Sequence, residues 1–99
     1  MAEIFQAGGK MHPFKEKTIK GKLIREFKSS VNSKDLVWHR DREDRDVIVH
    51  KGTGWRLQID NMLPVPMIEG RTYRIPKNTY HRVIKGNSSL VVEIKKYSN

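Results

Sequence analysis

Short runs in which hydrophobic and polar residues alternate recur along most of the chain and predict β-strands. The clearest run is 55–60, where Trp, Leu and Ile alternate with Arg, Gln and Asp, the period of a half-buried strand. Runs rich in β-branched, aromatic and aliphatic residues predict further strands at 21–28, 35–40, 47–50, 71–75, 80–84 and 90–96. No window repeats apolar residues at helical spacing over three turns, so little or no helix is expected.

Turn-forming residues separate these runs and suggest how the chain is organised. Gly52-Thr53-Gly54, Pro76-Lys77-Asn78 and Gly86-Asn87-Ser88 each fall between two predicted strands. The all-charged run 40–46 predicts a solvated turn. About seven short strands spaced in this way indicate an all-β fold, a small antiparallel sandwich or barrel. We expect an extended N-terminal arm over 1–20, with a short strand near its end, and a single β-barrel domain over 21–99, since 99 residues suit one domain.

The composition excludes several classes of protein. The chain has no cysteine, which excludes disulfide scaffolds, thiolate metal sites and thiol nucleophiles. No segment approaches the roughly 20 apolar residues that span a bilayer, and the N-terminus lacks the apolar core of a signal peptide. A cytoplasmic location without membrane contact is therefore expected.

The net charge adds one alternative partner. Lysine and arginine outnumber aspartate and glutamate by 20 to 11, a formal charge of +9, and a basic domain attracts the phosphates of nucleic acid. The excess is shared by both ends of the chain, and the aromatic residues that would stack on bases are scattered. Nucleic acid is thus a weaker expectation than a small-molecule ligand.

Three residues form the main candidate for chemistry: His39, Asp41 and His81. On a strand, His39 and Asp41 share one face because side chains alternate. If the barrel brings His81 beside them, two imidazoles and one carboxylate converge, a donor set that suits a divalent transition metal with open coordination positions. Glu43 and Asp46 compete with Asp41 to supply the carboxylate.

The spacing of these residues resembles the motifs of the cupin family. The second cupin motif has Gly, five residues, Pro, Gly and then a ligand His, and this chain has Gly70, five residues, Pro76, Asn78 and His81. Asn78 stands where the family has Gly, and Asn also adopts the left-handed turn conformation. The first motif, His-x-His, is similar to His39-Arg40-Asp41 with Asp in place of the second His. The resemblance covers about residues 20–96.

The resemblance implies a jelly-roll barrel, also called a double-stranded β-helix, that binds Fe, Mn, Ni or Zn and binds or transforms a small molecule. It also implies a homodimer in which the arm, residues 1–20, pairs with the sheet of a second copy, whose edge has unpaired backbone groups. Candidate contacts to a substrate are Arg56, Gln58 and Tyr73. The alternative is a metal-free cupin that acts as a binding or assembly module, its basic surface meeting an acidic partner such as nucleic acid. Whether the chain is an enzyme is left open by the sequence, because fold does not imply function.

Overall fold

A computed structural model describes residues 12–97 and consists almost entirely of antiparallel β-strands. The eight strands are β1 (Lys15–Ile19), β2 (Lys22–Phe27), β3 (Asp44–Lys51), β4 (Arg56–Ile59), β5 (Val65–Pro66), β6 (Thr72–Ile75), β7 (His81–Ile84) and β8 (Leu90–Tyr97). Over these residues the helix content is one 3-10 turn, Ser33–Asp35, and no helix is long and apolar enough to cross a membrane. The predicted all-β fold with little helix is confirmed.

The strands form two sheets with hydrophobic side chains between them. The larger sheet has the order β1-β2-β8-β3-β6 and the smaller one β5-β4-β7. The exposure pattern of β3 alternates strictly over its first six residues, as expected for a strand with one face on a core. The alternation directs one face of each sheet inward, and the buried core comprises Phe27, Leu36, Val47, Val49, Trp55, Leu57, Met67, Ile75, Leu90, Val92 and Ile94.

The prediction of a strand at 35–40 is wrong. Residues Ser33–Asp35 form the 3-10 turn, which begins at Asn32, whose side chain accepts a hydrogen bond from the Lys34 N–H. The following residues run in irregular conformation up to an isolated bridge at His39. Local side-chain bonding of this kind competes with strand formation, and it outweighs the β-propensity of residues 36–38 here.

The charged run 40–46 is not a solvated turn. Strand β3 already begins at Asp44, and Asp41 and Arg45 are both buried. Opposite charges allow this burial, because Arg45 lies 3.4 Å from Asp41 and 2.8 Å from Glu43, and a paired charge is far less costly to bury than an isolated one. The short strand β5 was also missed, within the proline-containing loop after β4.

The predicted boundary between arm and barrel, at residues 20 and 21, falls in the tight turn between β1 and β2. Lys20 and Gly21 both have positive φ angles there, and β1 pairs with β2 as the edge strand of the larger sheet. Residues 1–11 of the predicted arm lie outside the described residues.

Candidate metal centre

Two segments that bond to each other carry the candidate histidines. His81 is the first residue of β7, and His39 lies in the irregular segment before β3. Their backbones exchange two hydrogen bonds, of 3.0 Å and 2.9 Å, and the ring centroids are 4.3 Å apart. Residues directly opposite in an antiparallel pair point to the same side, so both imidazoles enter the barrel together.

A turn anchors Asp41 beside them. Asn78 has a φ of +60°, the left-handed conformation expected for the residue that replaces the family's Gly. In this conformation its N–H donates to the Asp41 carbonyl at 2.7 Å, and the neighbouring Lys77 N–H donates to Asp44 at 2.8 Å. The turn between β6 and β7 thereby holds the segment that carries Asp41 against the one that carries His81.

The three side chains bring one potential ligand atom each close together. Each offers one ligand atom, and these atoms all lie within 4.8 Å of one another. The Nδ1 of His39 lies 3.1 Å from the Val37 carbonyl and that of His81 lies 2.9 Å from the Thr79 carbonyl. A carbonyl only accepts, so each Nδ1 carries the hydrogen. In the neutral ring the lone pair is then on Nε2, and bonds of this kind orient metal-binding histidines.

Burial favours the neutral form of both rings. Loss of hydration lowers the pKa of His39 and of His81 below the ordinary value, and the hydrogen bonds to Val37 and Thr79 only partly oppose it. The Nε2 of His81 lies 3.4 Å from Oδ2 of Asp41. A neutral imidazole lone pair thus faces a carboxylate oxygen at short range, an arrangement that a cation between the two atoms would stabilise.

The carboxylate of Asp41 is the most unusual group of the cluster. Its side chain is 2% exposed, yet neither oxygen accepts a hydrogen bond from any residue in the described range 12–97. The closest guanidinium nitrogen, on Arg45, is 3.4 Å from Oδ1 and does not make a hydrogen bond. Buried charges are normally paired and hydrogen-bonded or coordinate metals, so the orphaned oxygens fit a metal-binding role.

The cluster opens onto a cavity of about 70 Å³ between the sheets. Its wall is mainly apolar, but Arg25 and Arg45 also line it. Sequence reasoning missed both arginines. Strand alternation could have found them, because Arg25 shares a face with the apolar Leu23 and Phe27 of β2, and Arg45 precedes Val47 on the inward face of β3.

The other candidate carboxylates lie apart from the cluster. Glu43 accepts a hydrogen bond from Arg45 at 2.8 Å. Asp46 accepts from Arg74 at 2.7 Å and from the Tyr97 hydroxyl at 2.8 Å; the bond from Tyr97 is the main cause of its lowered pKa. Asp41 is therefore the carboxylate that the fold brings to the two histidines.

The three predicted substrate contacts do not line this cavity. Arg56 is exposed. Gln58 accepts a hydrogen bond from Arg82 and donates to the Met62 carbonyl. The Tyr73 hydroxyl donates to the Pro66 carbonyl at 2.7 Å and accepts from the Ile68 N–H at 2.8 Å. The described bonds of Gln58 and Tyr73 stabilise the loop after β4, and a substrate role for the three residues stays a prediction.

Comparison with known proteins identifies the fold. No family model matches the chain, and no curated protein matches it in sequence. Solved structures do match. A cupin-2 domain protein from Shewanella frigidimarina has 19% identity and a TM-score of 0.60, with 84% of this chain and 80% of that chain covered. A cupin domain from Bordetella pertussis has 17% identity and a TM-score of 0.58, with 86% and 92% covered.

A third similar structure is a protein from Neisseria meningitidis, with 18% identity and a TM-score of 0.59 over 97% of this chain and 94% of that chain. At these identities the likeness shows the fold and nothing finer. The chain therefore has the fold of small cupin domains.

Proposed function

We propose that this cupin-like chain binds one divalent transition metal ion, Fe, Mn, Ni or Zn, through the Nε2 atoms of His39 and His81 and the carboxylate of Asp41, and uses it to bind or transform a small molecule. The observation that carries the proposal is the buried Asp41 carboxylate, which faces the His81 lone pair at 3.4 Å and accepts no hydrogen bond within residues 12–97. Two imidazoles and one carboxylate leave coordination positions open for a ligand.

The spacing of the donors is compatible with a single ion. Neighbouring donors on one metal lie about 3 Å apart when the bonds are about 2.1 Å long. The His81–Asp41 pair is already at 3.4 Å. The widest pair, within 4.8 Å, closes by rotation of side chains whose backbones the strand pairing and the Asn78 turn hold in place.

When bound, such an ion acts as a Lewis acid that polarises a ligand oxygen. The protein's own residues supply the rest of the site. The carbonyls of Val37 and Thr79 fix the imidazole orientations, and the apolar wall of the cavity limits access of water, which strengthens electrostatic interactions with a ligand.

Elemental analysis of the untagged protein, with and without anaerobic reconstitution by Fe(II), tests the proposal. We expect about one equivalent of a transition metal in the wild-type protein. In H81Q the affinity for the metal is expected to fall by about a hundredfold or more, because one of the three ligands is lost. The matched control is H50Q, since His50 lies outside the cluster, where its Nε2 is 2.9 Å from Glu93. Absence of metal in every preparation would overturn the proposal and favour the metal-free binding module.

We also propose that the chain is a cytoplasmic homodimer. Support for a dimer comes from the loop between β4 and β6, where Met62, Leu63, Val65 and Ile68 are exposed, Leu63 to 85%. Contiguous exposed apolar residues typically mark contact sites, and the predicted partner is a second copy of this chain. Sedimentation of the wild-type protein is expected to give about twice the 11.6 kDa mass of one chain. The variant L63E is expected to sediment as a monomer. A dimeric L63E protein, or dissociation by the control S30E in another exposed loop, would contradict this interface.

A further inference from the structure

Two buried arginines line the cavity and bring positive charge that the binding of a metal does not require. Arg25 and Arg45 are both about nine-tenths buried and both line the cavity. They face inward from β2 and β3 of the larger sheet, whereas His81 lies on β7 of the smaller one. The larger sheet therefore contributes two arginines to the lining of the cavity, and a terminal nitrogen of Arg45 comes within 3.4 Å of Asp41 in the His–Asp–His cluster.

Each of these arginines has a glutamate partner and a second contact: Nη1 of Arg45 lies 3.4 Å from Oδ1 of Asp41, and the guanidinium carbon of Arg25 lies 4.4 Å from the centroid of the Phe14 ring. The Nε of Arg25 donates to Glu16 at 2.6 Å and that of Arg45 to Glu43 at 2.8 Å, and both glutamates are partly exposed. A guanidinium has five N–H donors, and each of these bonds uses only Nε. The terminal nitrogens are the atoms with which arginine grips carboxylates in a forked, bidentate manner.

The charge balance of the occupied site favours an anion. Glu16 and Glu43 offset the two arginines, and Asp41 offsets one of the two charges of a divalent ion, so one positive charge remains. Desolvation on burial lowers the pKa of Arg25, the bond to Glu16 opposes it, and the charges of Arg45 and Asp41 also act on it. The three groups therefore lie within electrostatic range of one another in a low-dielectric cavity, where a residual charge is felt strongly.

The size of the cavity limits the length of the anion. A cavity of about 150 Å³ holds benzene, and this one is about 70 Å³. Benzene has six non-hydrogen atoms, so on this scale the cavity has room for about three, which is the size of formate and close to that of acetate.

We propose that the ligand of this site is a short-chain carboxylate, held between the metal and the guanidinium groups of Arg25 and Arg45. The inference rests on the proposed metal site and adds the class of ligand. The metal cation and the two arginines both favour a carboxylate over a neutral group. The apolar wall of the cavity contacts the short alkyl group of the ligand.

Calorimetric titration of the metal-loaded protein with acetate tests the inference, with acetamide as the neutral analogue of equal size and benzoate as the larger acid. We expect acetate to bind at least tenfold more tightly than either. R25M is expected to weaken acetate about ten- to a hundredfold, the range for a lost hydrogen bond to a charged group, and R25K to restore part of the affinity. The control R71M removes an exposed arginine and is expected to bind acetate like the wild type.

Metal content measured on the same samples separates the two proposals. About one equivalent of metal without preference for acetate over acetamide, or with equal acetate affinity in R25M, would overturn the carboxylate inference and leave the metal site standing. Absence of metal overturns both.

Discussion

A saturating divalent transition metal is expected to raise the Tm of the metal-free protein by roughly 10–20 °C. An ion that binds only the folded state, at a hundred times its Kd, adds about 2.7 kcal/mol to the free energy of unfolding. In a domain of this size each kcal/mol shifts Tm by about 4–8 °C. Thermal unfolding followed by circular dichroism, with Zn(II), Ni(II), Mn(II) and anaerobic Fe(II) added separately to chelator-treated protein, measures the shift.

The variant D41N is expected to abolish this shift without loss of the fold. Asparagine has nearly the same shape as aspartate and is neutral, and the Asp41 carboxylate has no hydrogen bond within the described part of the chain to lose. The substitution removes the charge that faces Arg45 at 3.4 Å, so the metal-free Tm is expected to fall moderately, while Arg45 keeps its pairing with Glu43 at 2.8 Å and the fold is retained. D46N is the matched control, because Asp46 faces Arg74 and Tyr97 away from the cluster. A shift in D41N as large as in the wild type, or none in the wild type with any of the four metals, would contradict the assigned site.

The parts of the fold that the sequence predicts well are those where one physical signal dominates. Strands β4 and β8 begin and end within one residue of their predicted boundaries, because alternation or a long β-branched run leaves no competing structure. The turn at Asn78 follows from the same kind of local chemistry, since few residues adopt positive φ. Local patterns of this type need no knowledge of the tertiary structure.

The segment that carries the proposed metal ligands His39 and Asp41 was harder to predict because its structure depends on distant contacts. His39 and Asp41 were predicted to share a strand face, yet only His39 makes a bridge, and the bonds to His81 and Asn78 bring both side chains into the cavity. The charged run appeared solvated because local composition does not reveal that Arg45 and Asp41 are buried together. Whether two opposite charges are buried as a pair depends on the tertiary structure.

The second large effect is expected at a glycine outside the His39–Asp41–His81 cluster. A Cβ at Gly86 would lie 2.4 Å from both the Thr53 carbonyl oxygen and the Trp55 nitrogen, and 2.5 Å from the Trp55 ring. Two of these three atoms belong to the backbone, so no side-chain rotation removes the collision. G86A is therefore expected to lower the free energy of unfolding by about 3 kcal/mol, the upper part of the range for overpacking, and the Tm by about 12–24 °C, measured by thermal and urea unfolding.

The variant G21A separates this steric effect from the conformational freedom of glycine. Gly21 has a φ of +78° with open space around it, whereas Gly86 lies outside the left-handed region. G21A should therefore cost only the backbone strain of about 1–2 kcal/mol, and a G86A protein no less stable than G21A would contradict the argument.

The Gly86 contact matters for the site because it closes one end of the β4–β7 pair, whose other end positions His81, a proposed metal ligand. Trp55 is fully buried and its indole N–H donates to the Ser88 carbonyl at 2.7 Å, which fixes the start of β4 against the chain after β7. From there the register runs through Leu57 and Val83 to Ile59 opposite His81. Displacement of the backbone at Gly86 would loosen the pairing of β4 with β7. G86A is therefore also expected to weaken metal binding, although it changes none of the proposed ligands. If G86A proves destabilised but binds metal with wild-type affinity, the bridge to His39 alone suffices to hold His81 in place.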